Sequence, residues 1–348
     1  MENQGGAEMT EPLRLLGAPG SPYTRKMLAV LRYRRLPYAL TVGNHQSRPD
    51  LPRPKVALLP TFYLDDGAGG IEAVTDSTPL IRRFDAEYAG RKVVPPNPAL
   101  AFLDYLLEDF ADEWLTKQMF HYRWHYAADA EKGGQILPRW RPTPTSEEAL
   151  KPVIQFIRER QIGRLYVVGS NDVTAPVIEA SYRRTLAALA THLEDHSFLL
   201  GDRPGGGDFG FYGQLTQLTH FDPTPMAIAI AEAPRVYAWV DVVDDLSGLE
   251  PTDEDWLSTD AAPDSLRAIF AEMGRTYTPV MLANAAAVVA GKDKVELEVD
   301  GLPWTQQPFP YQARCVQWIR QGFAALSTAD QAIVRGVLAG TACEPLLG

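Results

Sequence analysis

"LRLLGAPGSPYTRKMLAVLRYRRLPYALTV", residues 13–42, is the stretch whose reading decides the fold. A short apolar run at 13–16 ends in Gly-Ala-Pro-Gly and reads as a buried strand. Pro22 suits the first turn of a helix, where its missing N–H costs little. Met27, Leu28, Val30 and Leu31 make an apolar stripe, with Arg25, Lys26, Arg32, Arg34 and Arg35 on the remainder. Pro37 stops that helix, and Tyr-Ala-Leu-Thr-Val at 38–42 reads as a second strand. The result is a β-α-β unit, normally right-handed with parallel strands. Ser21 stands where the first strand runs into the helix. Its hydroxyl is either a simple cap or the working atom of a site.

Working outward, residues 43–60 carry prolines at 49, 52, 54 and 60, which forbid a regular long helix. "TFYL" at 61–64 and "IEAVT" at 71–75 flank a Gly-rich turn and predict an antiparallel hairpin. "DSTPLIRRFDAEY" then has helix-start chemistry, with Ser77 or Thr78 as cap and Pro79 just inside. The order is β-α-β-loop-β-β-α. After the Pro-rich segment at 94–98 the pattern becomes helical: one long helix at 99–126, then helices at 150–162 and 174–195. Two more follow, one entered through "FLLGDRPGGGDFGFYGQL" and one in "PRVYAWVDVV". From 251 onward come a helical stretch at 263–290, an alternating "KVELEVDG", a stiff aromatic loop "LPWTQQPFPY" and a final helical pair. The expected organisation is therefore a disordered leader at 1–11, an α/β unit at 12–93, an all-helical unit at 99–250, and an extension at 251–348 docked on the helical unit.

Composition narrows the function classes. The net charge of −11 argues against a general nucleic-acid binder, which would present a basic face. The two cysteines, Cys315 and Cys343, have no metal-ligand spacing and predict a reducing compartment. No apolar stretch approaches the ~18 residues of a membrane span, and "MENQGGAEMTEP" has no signal-peptide pattern. The expectation is a soluble cytoplasmic protein that binds neither nucleic acid nor membrane.

The element order is the thioredoxin-like arrangement, and with an all-helical unit after it the chain resembles the glutathione transferase superfamily. The residues that carry the resemblance are Ser21-Pro22-Tyr23-Thr24 at the strand-to-helix turn, Leu59-Pro60-Thr61 before the third strand, Asp76-Ser77 opening the third element's helix, and "FLLGDRPGGGDFGFYGQL". The resemblance implies glutathione as co-substrate. It implies a cis Leu59–Pro60 bond that exposes the Leu59 backbone to pair with the tripeptide. It also implies that Asp76 and Ser77 hold the γ-glutamyl end, and that Ser21 stabilises the thiolate. Tyr23 is the rival donor. The glycyl carboxylate needs a cation, and His45, Arg48, Arg53 and Lys55 all lie in the intervening loop; among these, Lys55 is carried as a candidate. A small hydrophobic electrophile and a homodimer are the further implied partners, and detoxification or catabolism the implied setting.

Plainer readings stand beside these. Capping alone explains a serine at 21, and Asp76-Ser77 could be an ordinary cap pair. His121 and His125 lie one helical turn apart, but no third ligand accompanies them, so no metal is expected. With their neighbours Tyr122, Trp124 and Tyr126 they read as an aromatic wall near the cleft or as plain core. Trp304 is expected to border the electrophile pocket, with a structural buttress as the alternative. In "GDRPGGGD" the usual Ser/Thr cap is absent while Asp208 remains, which predicts a looser helix start. The function expected is a transferase using a glutathione thiolate to conjugate, displace or isomerise; the rival is a non-catalytic glutathione- or ligand-binding scaffold.

Overall fold

The computed structural model describes residues 11–141, 144–259 and 262–348, so the expected leader lies outside the described residues except for Glu11. β1 (Leu13–Gly17), α1 (Pro22–Tyr33) and β2 (Tyr38–Val42) form the β-α-β unit, with β1 and β2 parallel. β3 (Thr61–Asp65) and β4 (Ile71–Val74) are the hairpin, and α2 (Ser77–Glu87) follows. The sheet order is β2-β1-β3-β4, with β3 antiparallel to β1 so that Leu15 faces Leu40 on one side and Phe62 on the other. This is the thioredoxin-like α/β unit predicted. It is closed by Leu15, Met27, Leu31, Phe62, Ile81 and Phe84, all buried.

The helical remainder begins with α3 (Pro98–Phe110), whose helix continues through one π-helical turn at Ala111–Leu115 into α4 (Thr116–His125). Then come α5 (Ala127–Ile136), α6 (Glu147–Ile162), α7 (Ala175–His192), α8 (Gly206–His220), α9 (Pro223–Glu232) and α10 (Pro234–Asp244). The last part contains α11 (Asp264–Arg275), α12 (Tyr277–Val289), the hairpin β5 (Val295–Val299) and β6 (Leu302–Gln306), α13 (Pro310–Ala324) and α14 (Thr328–Leu338).

Two expectations change here. "LPWTQQPFPY" is not a loop: its first half is β6 and its second half opens α13. Trp304 pairs with Leu297 across the hairpin, and its ring lies 5.4 Å from that of Trp114, which seals the strand onto the helical core. The start of α8 is also firmer than its sequence suggests. Asp208 accepts from the Gly205 N–H, and Asp104 of α3 accepts from Gly206 and Gly207 N–H, replacing the missing hydroxyl cap. A Cβ at Gly205 would stand 2.3 Å from Asp104 Oδ1, so close approach of the carboxylate requires the glycine.

The segment after 262 packs against α3 and α7. Phe323 meets Phe102 with ring centroids 5.6 Å apart, Tyr277 donates to Asp109, and Glu272 of α11 accepts from Ser181 and Arg184 of α7. Among the described residues no helix is long and apolar enough to cross a membrane.

Candidate functional site

Three elements of the α/β unit meet at one cleft. At the start of α1, Ser21 is the N-cap, accepting from the Thr24 N–H at 3.2 Å. The same hydroxyl donates to Leu59 O at 3.2 Å, joining residues far apart in sequence. The Leu59–Pro60 bond is cis. Pro60 and Thr61 are buried, while Leu59 is half-buried and keeps its carbonyl beside Ser21.

Beyond them lies the start of α2. Asp76 has φ 82° and ψ 110°, a left-handed backbone rare for a residue with a side chain, and it forms no side-chain cap bond. Its Oδ2 accepts instead from the Tyr311 hydroxyl at 3.1 Å. Burial pushes the Asp76 carboxyl above the usual carboxylate range, with the Tyr311 hydroxyl and Lys26 pulling the other way. Ser77 is buried, and its Oγ accepts from Lys26 Nζ at 3.0 Å.

Lys26 is the residue the sequence reading placed on the wrong surface. It lies on α1 five residues after Ser21, almost wholly buried, and donates also to Glu108 at 2.7 Å and Asp112 at 2.6 Å. Burial alone would depress its ammonium, but Asp112 and Glu108 outweigh it and hold it at about 12. Burial likewise would raise Glu108, yet Lys26 and Arg82 pull it down to about 2. Asp112 stays raised, to about 6, because burial dominates there. The signal in the sequence was spacing: Lys26 stands three residues after Tyr23 and four before Val30, on the face that must be covered.

The predicted residues divide. Ser21 meets Leu59 beside Pro60 at the start of α1, and Ser77, next to Asp76 at the start of α2, is tied to α1 through Lys26. Tyr23 turns away: its hydroxyl donates to Asp112 O at 2.8 Å and lies 3.3 Å from Thr116 Oγ1, in the contact between α1 and the helical unit. Burial, then the nearby Asp112 and Glu113, push its phenol well up, so it is a poor proton source for a thiolate. His45 is buried beneath the loop, with Nε2 3.1 Å from Thr61 Oγ1 and 3.3 Å from Leu58 O. Arg48 is paired with Asp50. Arg53 and Lys55 are exposed.

The three aromatic pocket candidates are core residues. Tyr122 stacks on Tyr126 and meets Tyr182 edge-on, Trp124 covers Gly133 and packs on Phe120, and Trp304 lies on Trp114. All three are at most 2% exposed. They bury because α4 and β6 are covered on the sides that carry them, so their aromatic surface is used for packing rather than for a ligand. His121 faces Ser170 and Glu179, and burial first, then His125, lowers its imidazole to about 4.

An open cavity lies between α2, α3 and α13, with Asp76 at its edge. Its volume is ≈ 580 Å³, within the range of small-molecule sites. Asp76, Arg82, Phe102, Tyr105, Tyr311 and Trp318 are among its walls. Arg82 is spoken for, held by Thr78 O and Glu108 and stacked over Tyr105. The aromatic surface expected from Trp304, Phe309 and Tyr311 of the last segment divides: Trp304 is core, while Tyr311, with Trp318, reaches the cavity.

Residues 15–92 match the family described as glutathione S-transferase, N-terminal domain, and residues 155–241 match glutathione S-transferase, C-terminal domain. No curated protein sequence matches the chain. Among solved structures, a glutathione transferase from Burkholderia graminis with two glutathione molecules bound per subunit shares 15% identity over 76% of this chain and 89% of its own, with TM-score 0.41. A Tau class enzyme from mango shares 16% over 70% and 94%, with TM-score 0.40. A maleylacetoacetate isomerase from Anaeromyxobacter dehalogenans shares 14% over 67% and 89%, with TM-score 0.39. With both characteristic domains matched in order, and the thioredoxin-like sheet followed by helices, the chain belongs to the glutathione S-transferase superfamily.

Proposed function

We propose that the chain is a glutathione transferase that holds the glutathione thiolate at Ser21 and turns it on a small hydrophobic electrophile. The observation that carries this reading is the contact between the Ser21 hydroxyl and Leu59 O beside a cis Leu59–Pro60 bond. A hydroxyl has one proton to give. Without co-substrate that proton goes to Leu59 O. An extended tripeptide lying along Leu59 offers its own cysteine N–H to that carbonyl, which frees the Ser21 proton for the sulfur beside it. The start of α1 adds a partial positive charge, so the thiolate is favoured over the thiol. Asp76 then takes the γ-glutamyl ammonium, and Ser77 with the α2 start takes the α-carboxylate. Lys55 and Arg53 are the exposed loop cations suited to the glycyl carboxylate. The thiolate adds to the electrophile, displaces a leaving group from it, or returns it isomerised. A homodimer working in a reducing cytoplasm completes the reading, in keeping with two cysteines that are both free and buried.

The test combines calorimetry with glutathione and turnover with an aryl halide. Ser21→Ala should bind glutathione with similar affinity, raise the pKa of the bound thiol and lower turnover about tenfold, near 1.4 kcal/mol. Equal turnover in the two proteins would remove Ser21 from the chemistry. Because Ser21 already has a cap acceptor role and a donor partner, a non-catalytic binder is the second reading. Tight glutathione binding with no conjugation of any electrophile would favour it.

A further inference from the structure

Tyr311 lies about 70 residues beyond the end of the C-terminal domain match at 241, in a part of the chain that neither family description covers. It is the second residue of α13, and its ring packs edge-on against Trp318 with centroids 5.9 Å apart. Its hydroxyl nevertheless reaches Asp76, 235 residues earlier.

That contact is not needed to dock the segment. Phe323 on Phe102, Tyr277 on Asp109, Gln312 on Glu113 and Arg184 on Glu272 already tie the last helices down, and each of those contacts is at least partly buried. Tyr311 is 37% exposed, so a single hydrogen bond there adds little to docking. What it does change is Asp76. The backbone of that residue is held at φ 82°, a conformation rare for a residue with a side chain, and its carboxylate makes no side-chain cap bond to α2. The carboxylate has no ion-pair partner among the described residues. The nearby ammonium of Lys26 is committed to Glu108, Asp112 and Ser77. One carboxylate oxygen is thus oriented by Tyr311, and the group as a whole lacks a cation. A primary ammonium supplies what is missing, and a carboxylate held in one orientation loses less freedom when it binds.

We propose that Tyr311 is a positioning residue of the co-substrate site, fixing Asp76 so that the site selects thiol peptides bearing a free α-amine at their γ-glutamyl end. The inference rests on the reading that glutathione occupies the Ser21–Asp76 cleft. It makes the C-terminal segment part of the binding site.

The experiment is calorimetry on the full chain and on Tyr311→Phe, each with glutathione and with its des-amino analogue, glutaryl-cysteinyl-glycine. Removing the hydroxyl should weaken glutathione about three- to tenfold while changing the analogue less than about twofold. Equal glutathione affinity in the two proteins would overturn the proposal. So would an equal loss for both ligands, which would mean that Tyr311 only supports the local structure. Wild-type protein that fails to bind glutathione would instead overturn the co-substrate reading itself, and this proposal with it.

Discussion

The two helix starts that border the cleft are built in opposite ways. At α1, Ser21 has an ordinary extended cap backbone, φ −94° and ψ 116°, and its oxygen satisfies the Thr24 N–H. At α2, Asp76 sits in the left-handed region, caps nothing, and finds its partner on a helix near the other end of the chain. A residue that performs its local task is explained by local energetics. A residue held away from that task at a conformational cost is not, and such outliers gather where ligands bind. Ser21 therefore serves two roles at once, while Asp76 is set aside for one. Lys26 joins the two starts, rising from α1 to donate to Ser77 of α2.

The largest effect should come from breaking that join. Lys26→Met leaves Glu108 and Asp112 buried without their shared cation, and removing one partner of a buried pair costs about 3–5 kcal/mol. Urea unfolding at pH 7 measures it, and a loss under about 1 kcal/mol would mean that the two starts are held together by other contacts.

Changing pH should separate the two sides next. Asp109, which lines the same cavity as Asp76, is pushed up to about 7 by burial first and then by Asp112, and Glu113 to about 8 by burial first and then by Asp109. Asp104 and Asp208 are raised by burial too, to about 8 and about 7. Unfolded carboxyls lose their protons near pH 4. At these four carboxyls the folded chain therefore binds more protons between about pH 4 and 8, so the stability they contribute is full below that window and falls as pH rises through it, opposed by His121, lowered to about 4, only up to about pH 6.5. Lys117, depressed to about 8 by burial, acts in the opposite sense only above that pH. The thermal midpoint should drop from pH 5 to pH 8, and Glu113→Gln should flatten the slope. A midpoint that climbs over the same range would show these carboxyls ionised in the folded protein.

The sharpest form of the comparison uses the smallest energies. Asp76→Gly relieves the left-handed backbone, so stability should hold or rise by up to about 1 kcal/mol, while glutathione affinity falls about tenfold or more with the charge-assisted contact. Ser21→Ala should do the reverse, losing about 1 kcal/mol of stability with the cap and little affinity. Were Asp76→Gly the more destabilised of the two, the contrast between the starts would collapse.

Much of this was readable in one dimension. Proline at 22 and 37 bounded α1, apolar runs marked β1 and β3, and "DDGAGG" marked the hairpin, because each signal acts within a few residues of itself. The resemblance also placed Ser21 near Leu59, and the structure joins the two by a hydrogen bond. The acids at 108–113 were not. Asp109 and Glu113 are interleaved with Phe110 and Trp114, and α3 is enclosed by α8, α13 and α14 with Lys26 of α1 reaching Glu108, so no side is left for a solvated stripe. Tyr122, Trp124 and Trp304 misled for a related reason: large aromatic side chains suit a core and a pocket equally well, and sequence holds no measure of which side is open.

The sequence by itself determined the order of elements and most of the turns and caps, because those follow from hydrophobic period and local backbone chemistry. Tertiary structure alone decided which charge would be buried, which aromatic ring would meet the cavity, and which hydroxyl would answer Asp76. Lys26 with Glu108, and Tyr311 with Asp76, are pairs across 82 and 235 residues. Their energies exist only once the packed helices exclude water from the first and bring the second within hydrogen-bond reach.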